Sequence, residues 1–234
     1  YVRHGIQQGS ILGPKLFVLY INDLPYNLQS NSIKTFLFAD DLGMCIQDKC
    51  VDNTNAILTD SSETILDWCS ANKLKLNSQK TQDLTLSLSN KGGCDPPLKF
   101  LGIYLQSDLK WQHHIDYVAT KISKGIFLIR SLRNKVTRDI LLSVYYAFVH
   151  SQLNYGITLW GNSGYCDKLF VLQKRIIRLI CSLPDLTHCR PYFIKLGILS
   201  LPSMYVFSTL MYIKENLYGF QHITDIHGYE TRNR

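Results

Sequence analysis

Two adjacent carboxylates, Asp40 and Asp41, stand between the apolar runs Ile33–Phe38 and Leu42–Ile46. Each run has the length and β-branched or aromatic content of a strand. Asp-Asp-Leu-Gly between them is turn chemistry, so the segment is expected to form a β-hairpin with both carboxylates at its tip. Neighbouring anions repel, and burying either without a partner is costly. A divalent cation resolves that conflict, and an oxygen-only donor set of this charge density suits Mg²⁺ or Mn²⁺. A solvated Asp–Asp turn is the alternative reading of the same pair.

The elements that must position this pair follow from periodicity. Gly5-Ile6-Gln7-Gln8-Gly9-Ser10 is a glycine-bracketed polar turn running into Ile11–Leu28, where Leu12, Leu16 and Leu19, with Phe17, Tyr20 and Leu24, recur at helical spacing. Ser10 is a suitable N-cap, Pro14 is tolerated near the first turn, and Pro25 ends the helical stretch. A second helix is expected over about 52–72. Leu74–Asn77 and Leu84–Leu88 alternate like strands with Lys80 between them, and Phe100–Leu105 reads as another strand. From Trp111 the pattern turns helical: Trp111, Ile115, Val118, Ile122, Ile126 and Ile129 form one amphipathic stripe. Thr137 can cap a helix carrying Ile140, Val144, Ala147 and Phe148 inward. A further helix over 167–182 would bury Leu169, Leu172, Ile176 and Leu179 and leave Lys174, Arg175 and Arg178 outward; Pro202 starts a last one reaching about Leu217. The fold class expected is α+β: an antiparallel sheet with helices over 1–109, an all-helical module over 110–217, and a tail over 218–234.

Charge separates these regions. Residues 1–109 hold nine lysines and arginines against eleven acids, whereas residues 110–178 hold eleven against three, within a chain of formal net charge +7. An acidic centre in one region and a basic surface in the next suit a protein handling a polyanion; a solvated basic helix face is the alternative. No apolar run is long enough to span a bilayer, so no membrane partner is expected. Seven cysteines without a CxxC pair indicate neither a disulfide framework nor a zinc ribbon, and point to reduced thiols in an intracellular protein. Cys181, His188 and Cys189 lie close together, but their spacing matches no standard zinc pattern. The chain opens on Tyr1, which reads as a piece of a longer polypeptide.

Three features occur in order: the Gly5–Ser10 turn before a helix, Phe38-Ala39-Asp40-Asp41 in a hairpin, and Leu74-Lys75-Leu76-Asn77-Ser78-Gln79-Lys80-Thr81. Together they resemble the reverse transcriptase of non-LTR, LINE-type (jockey-like) retrotransposons, from the middle of the palm through the thumb. Lys99-Phe100-Leu101-Gly102-Ile103-Tyr104-Leu105 resembles the primer-grip region. Asn154-Tyr155-Gly156-Ile157-Thr158-Leu159-Trp160-Gly161, Leu172-Gln173-Lys174-Arg175 and Leu196-Gly197-Ile198-Leu199 resemble the thumb and downstream region. The resemblance covers about residues 3–215.

It implies an RNA-directed DNA polymerase that joins deoxynucleoside triphosphates to a DNA primer 3′-OH on an RNA template through two metal ions. Asp40 would be a metal ligand, with Asp41 a secondary ligand or electrostatic support. Phe38 and Ala39 would pack beneath the primer end, with ordinary core packing of Phe38 as the alternative, and Gln8, Gly9 and Ser10 would form the turn beside the templating base and nucleotide, with a simple strand-to-helix turn as the alternative. Lys80 would protonate or neutralise the pyrophosphate leaving group; a solvated loop lysine is the alternative. Phe100, Leu101 and Gly102 would place the primer strand, and Lys121, Lys124, Arg130, Arg133, Lys174, Arg175 and Arg178 would follow the duplex phosphates. The nucleus and cytoplasm are the compartments implied. Two departures from the family pattern stand out. Gln7 occupies a usual proline position, and the family's first metal-binding aspartate, upstream of the glycine turn, has no counterpart from Tyr1 to Gly9. Asp23 is the nearest other acid, and it falls on an expected helix. The isolated chain is therefore expected not to polymerise. The competing readings are a non-catalytic nucleic-acid-binding remnant or co-opted element, and a metal-dependent phosphodiesterase, which lacks an accompanying histidine-rich cluster.

Overall fold

The computed structural model describes residues 9–28, 30–86 and 96–220. The chain forms two compact units, Tyr1–Thr81 and Gln82–Arg234. Helices predominate, with small antiparallel sheets, consistent with the α+β expectation.

In the first unit, helix α1 spans Leu12–Ile21 and a 3₁₀ turn spans Leu24–Leu28. The Ser10 hydroxyl accepts from the Gly13 amide at 3.3 Å, the capping role its sequence position suggests. The expected helix over Ile11–Leu28 is broken before Pro25, whose ring cannot continue an α-helix. Strands β1 (Ile33–Phe38) and β2 (Asp41–Ile46) pair antiparallel, and helix α2 runs over Val51–Ala71. Leu24, Leu28, Ile65 and Cys69 make a small core with Leu42, Trp68 and Leu74 packed on it. Trp68 Nε1 donates to the Asp23 carboxylate at 3.3 Å and Tyr20 Oη donates to the Asn72 carbonyl at 2.6 Å, tying the α1 end to α2. Asp23 is thus a structural acceptor. The expected apolar stripe of α1 is not core within this unit: Leu12, Leu16 and Leu19 are exposed. After α2, Lys73 adopts φ 55°, and the Leu74 amide donates back to the Cys69 carbonyl at 2.8 Å, a Schellman closure without glycine.

Among the described residues two expected strands do not form. Residues 74–77 and 84–86 are irregular and pair with no described strand, while 87–88 lie outside the described residues. Alternation alone does not make a strand; its amides need a partner ladder.

The second unit opens with the short strands β3 (Leu98–Phe100) and β4 (Ile103–Leu105), a hairpin where one strand was expected. Leu101 and Gly102, at φ 46° and 82°, make the two-residue turn. Helix α3 (Gln112–Leu132) carries the anticipated stripe: Ile115, Val118, Ile122, Ile126 and Ile129 are all buried. The hairpin packs on α3, and the Tyr104 amide donates to His114 Nδ1 at 3.3 Å.

Helix α4 (Arg138–Tyr145) passes through a wide π turn (Tyr146–His150) into α5 (Ser151–Asn154). Its buried line is Leu141, Tyr145, Val149 and Leu153, whereas Ile140 and Phe148 are exposed. The expected inward face was one residue out. Over twelve residues a regular α-helix would rotate a four-residue repeat by about 120°; the π turn absorbs about one residue and keeps the line in phase. Gly125 lets α3 approach this turn, since a Cβ there would lie 2.9 Å from Val149 Cγ2.

The one-turn α6 (Ile157–Trp160), then α7 (Asp167–Ile180), α8 (Arg190–Leu196) and α9 (Leu201–Glu215) complete the unit. Leu169 and Ile176 are buried as expected; Leu172 and Leu179 are half-buried, and Gln173, Ile177 and Ile180 lie deeper. Cys189 is buried, its thiol 3.6 Å from the Lys174 and Thr187 carbonyls, and no group of three metal-ligating side chains occurs among the described residues. No single described helix is long and apolar enough to cross a membrane, although the bent pair α8 and α9 reaches that length and composition together.

Burial, then the charges of Lys121 and His113, hold the His114 pKa down at about 4. Between that value and the ordinary 6.5 the unfolded chain binds the extra proton, so stability falls as pH drops through this window. The full effect is on the order of 3 kcal/mol. Urea unfolding from pH 7 to pH 4 is expected to show this loss, and His114→Asn, which can keep an acceptor for Tyr104, should flatten it. An unchanged pH slope in the variant would contradict the assignment.

Candidate active site and nucleic-acid interface

The acidic hairpin differs from its expected form in one respect. Its turn is Ala39-Asp40, with Phe38 paired to Asp41 and Gly43 paired to Phe36 inside the ladder. Ala39 sits at φ 54°, an uncommon value for a residue with a Cβ. The two-residue period sorts the strands by face. Ile33, Thr35, Leu37, Leu42, Met44 and Ile46 share the half-buried face, while Lys34, Phe36, Phe38, Asp41 and Cys45 share the exposed one. Phe38 is 65% exposed and Phe36 53%. Asp40 projects from the turn and Asp41 begins β2, both exposed and without an ion pair among the described residues.

This arrangement presents two solvated carboxylates beside an aromatic surface. Two hard oxygen donors fit a Mg²⁺ or Mn²⁺ ion that completes its shell with water and phosphate oxygens, the usual way such ions are held. Lys80 lies in a turn closed by its own amide on the Asn77 carbonyl at 3.0 Å, and its side chain is exposed. It makes no ion pair with Asp40 or Asp41. Gly9 adopts φ 85° with open space around it, and Ser10 is committed to capping α1. Gln7 and Gln8 lie outside the described residues.

In the second unit, Phe100, Leu101 and Gly102 lie at the tip of the β3–β4 hairpin. Lys99 Nζ stands 5.6 Å from the Tyr104 ring centre and 5.5 Å from that of Tyr117; Lys121 Nζ stands 4.6 Å from the Tyr117 ring. Hydrogen bonding to Lys121, aided by the charges of Lys121 and Lys99, lowers the Tyr117 hydroxyl pKa. Alongside runs a cavity of about 380 Å³ lined by Leu101, Gly102, Tyr117, Lys121, Gln152 and Tyr155, among others. Cations and aromatic faces on one groove suit a sugar–phosphate backbone with unstacked bases.

The seven cations expected on the duplex do not share one face. Nine residues separate Lys121 from Arg130 and Lys124 from Arg133, which places each pair about 180° apart around α3. Lys121 and Lys124 lie on the Tyr117 side, while Arg133 continues the line of the buried stripe beyond Ile129 and is half-buried. On α7, Arg175 is exposed, Lys174 rests 4.4 Å above the Phe170 ring, and Arg178 Nε donates to the Thr187 carbonyl at 3.0 Å. Arg178 is therefore occupied in holding the following loop.

Gln173 and Tyr155 stand within family-like motifs of the sequence, yet nothing there gave either a role. Gln173 is fully buried: its amide donates to Tyr145 Oη and the Leu199 carbonyl, each at 2.9 Å, and its carbonyl accepts from the Leu201 amide at 2.8 Å. A polar residue on the inward side of the α7 stripe was the available signal. Tyr155 Oη donates to the Leu101 carbonyl at 2.5 Å across 54 positions, which nothing local in the sequence announces.

The model for the family described as "Reverse transcriptase (RNA-dependent DNA polymerase)" matches residues 1–118. The chain is 27% identical over 202 residues to a probable RNA-directed DNA polymerase from transposon X-element of Drosophila melanogaster, covering 76% of this chain and 22% of that protein. It is 28% identical over 219 residues to one from transposon BS of the same organism, covering 83% and 23%. The RNA-directed DNA polymerase from mobile element jockey of Drosophila funebris is 24% identical over 209 residues, covering 79% and 22%. The chain thus spans between a fifth and a quarter of the length of these relatives. No solved structure matches it.

If the groove beside the β3–β4 hairpin carries phosphate, Lys121→Ala should weaken duplex binding and reduce the slope of log affinity against log salt by about 0.9. Arg178→Ala should leave that slope unchanged and cost about 1 kcal/mol of stability. Anisotropy titrations at several salt concentrations, with urea unfolding of both variants, separate these outcomes. A slope unchanged in Lys121→Ala would remove the groove from the interface.

Proposed function

This chain belongs to the reverse transcriptase (RNA-dependent DNA polymerase) family, and we propose that it is the palm-to-thumb portion of a non-LTR retrotransposon polymerase. The observation that carries this reading is the Ala39-Asp40 turn, which holds two solvated carboxylates beside the exposed ring of Phe38 within the family-matched segment. Asp40 and Asp41 would hold a divalent ion of the Mg²⁺ type. Such an ion supplies neutralisation of triphosphate charge and activation of the primer 3′-OH for in-line attack.

The chain's own residues do the rest. Phe36 and Phe38 give the primer end an apolar platform on the face that carries Asp41. Leu101 and Gly102 offer a tight backbone turn to the primer strand, and Lys99, Lys121 and Lys124 neutralise its phosphates. Lys80 is retained as the cation for the pyrophosphate leaving group, on its match to the family pattern. An RNA template, a DNA primer and deoxynucleoside triphosphates are the partners that follow.

In a polypeptide that carries the upstream part of the polymerase, Asp40→Asn should lower DNA synthesis by at least about 10²-fold, the loss expected when several kcal/mol of charge stabilisation disappears. Duplex affinity should stay within about twofold. Retention of full synthesis by Asp40→Asn would refute the metal role. The 234-residue chain alone should bind a primer–template duplex, with affinity that falls steeply as salt rises, and extend no primer. Extension by the isolated chain would show that the upstream carboxylate is dispensable.

A further inference from the structure

The segment Asn154–Gly161 is a motif shared with the family pattern that the polymerase reading leaves without a role. Its contacts converge on the β3–β4 turn. Tyr155 Oη donates to the Leu101 carbonyl at 2.5 Å, and the Tyr155 ring lies 3.6 Å from where a Gly102 Cβ would stand. Gly156 adopts φ 62°, and a Cβ there would lie 2.7 Å from Ile103 Cδ1, so the first side chain of β4 packs on bare backbone. Trp160, fully buried, donates from Nε1 to the Tyr155 carbonyl at 3.0 Å and anchors this segment in the helical core.

We propose that Tyr155 is a positioning residue: it clamps the Leu101-Gly102 turn in the conformation that receives the primer strand. The proposal rests on the reading of that turn as primer-binding. The turn needs such support. Leu101 and Gly102 both occupy the left-handed region, where a leucine is disfavoured and persists only when its surroundings over-determine it. The local sequence supplies two three-residue strands, too few ladder hydrogen bonds to hold the turn by themselves. The Tyr104 amide on His114 secures β4, but the tip is held by Tyr155. Tyr155 is itself 54% exposed, so core filling does not account for its ring and hydroxyl at this place. Its hydroxyl and ring meet the turn directly beside the cavity that Lys121, Tyr117 and Gln152 line.

Tyr155→Phe in the 234-residue chain removes the hydroxyl and keeps the ring. Amide hydrogen exchange at Gly102 and Ile103 should accelerate about three- to tenfold, the effect of one lost hydrogen bond, while Ile122 and Ile126 in the core exchange as before. Affinity for a duplex with a recessed primer 3′ end should fall by a similar factor, and affinity for a blunt duplex of the same length should not change. A general loss of structure would move the core amides and both affinities together. Exchange at Gly102 and Ile103 that is unaltered in Tyr155→Phe overturns the clamp. Faster exchange with an unaltered recessed-end affinity overturns the positioning role. A wild-type chain that binds the two duplexes equally overturns the primer reading, and the positioning role with it, even where the exchange data uphold the clamp.

Discussion

Two like charges on adjacent residues cannot share a dry environment, and the first unit is arranged around that constraint. Asp40 and Asp41 stay in water because a two-residue turn lifts one off the ladder and the strand period sends the other to the exposed face. The opposite face of the same hairpin turns Leu37, Leu42 and their neighbours inward, with Leu42 reaching the Leu24, Leu28, Ile65 and Cys69 core. A one-residue slip would exchange the two faces, bringing Phe38 and Asp41 inward and Leu42 outward. Register therefore ties the chemistry of the carboxylates to the stability of the unit beneath them.

The second unit solves a different problem, which is how to hold a short hairpin with little structure of its own. Its helical core does the holding. Ile115 to Ile129 of α3, Tyr145 and Val149 around the π turn, and Leu169 to Ile180 of α7 bury one continuous apolar mass. Inside it, Gln173 satisfies three hydrogen bonds that link α7 to Tyr145 and to the start of α9. Replacing one partner would leave buried polar groups unpaired, at a cost greater than the bonds themselves contribute. From this rigid mass Trp160 holds the backbone of Tyr155, whose side chain reaches the turn at Leu101 and Gly102.

Charge is distributed less simply than composition suggests. Residues 110–178 hold most of the excess cations, yet helical geometry sends Lys121 and Lys124 one way and Arg130 and Arg133 the other. Lys174 and Arg178 are further committed to an aromatic ring and a loop carbonyl. What remains concentrated is the set around Tyr104 and Tyr117, where Lys99 and Lys121 meet across sequence.

Local chemistry was legible wherever a period or a turn residue dictated it. The acidic hairpin, the cap at Ser10, the extent of α2 and the buried stripe of α3 follow from side-chain alternation, capping and the 3.6-residue repeat, all properties of neighbours along the chain. Where two structures satisfy the same local pattern, only tertiary contacts decided. Residues 74–77 alternate without becoming a strand, because no ladder partner is placed beside them among the described residues. The π turn shifts the face of the helix that follows Thr137, because the approach of α3 at Gly125 and Val149 sets its phase. The left-handed Leu101 turn and its hydroxyl clamp depend on a tyrosine 54 positions away, and no local rule can foresee a hydrogen bond that exists only once the helical core has brought the two together.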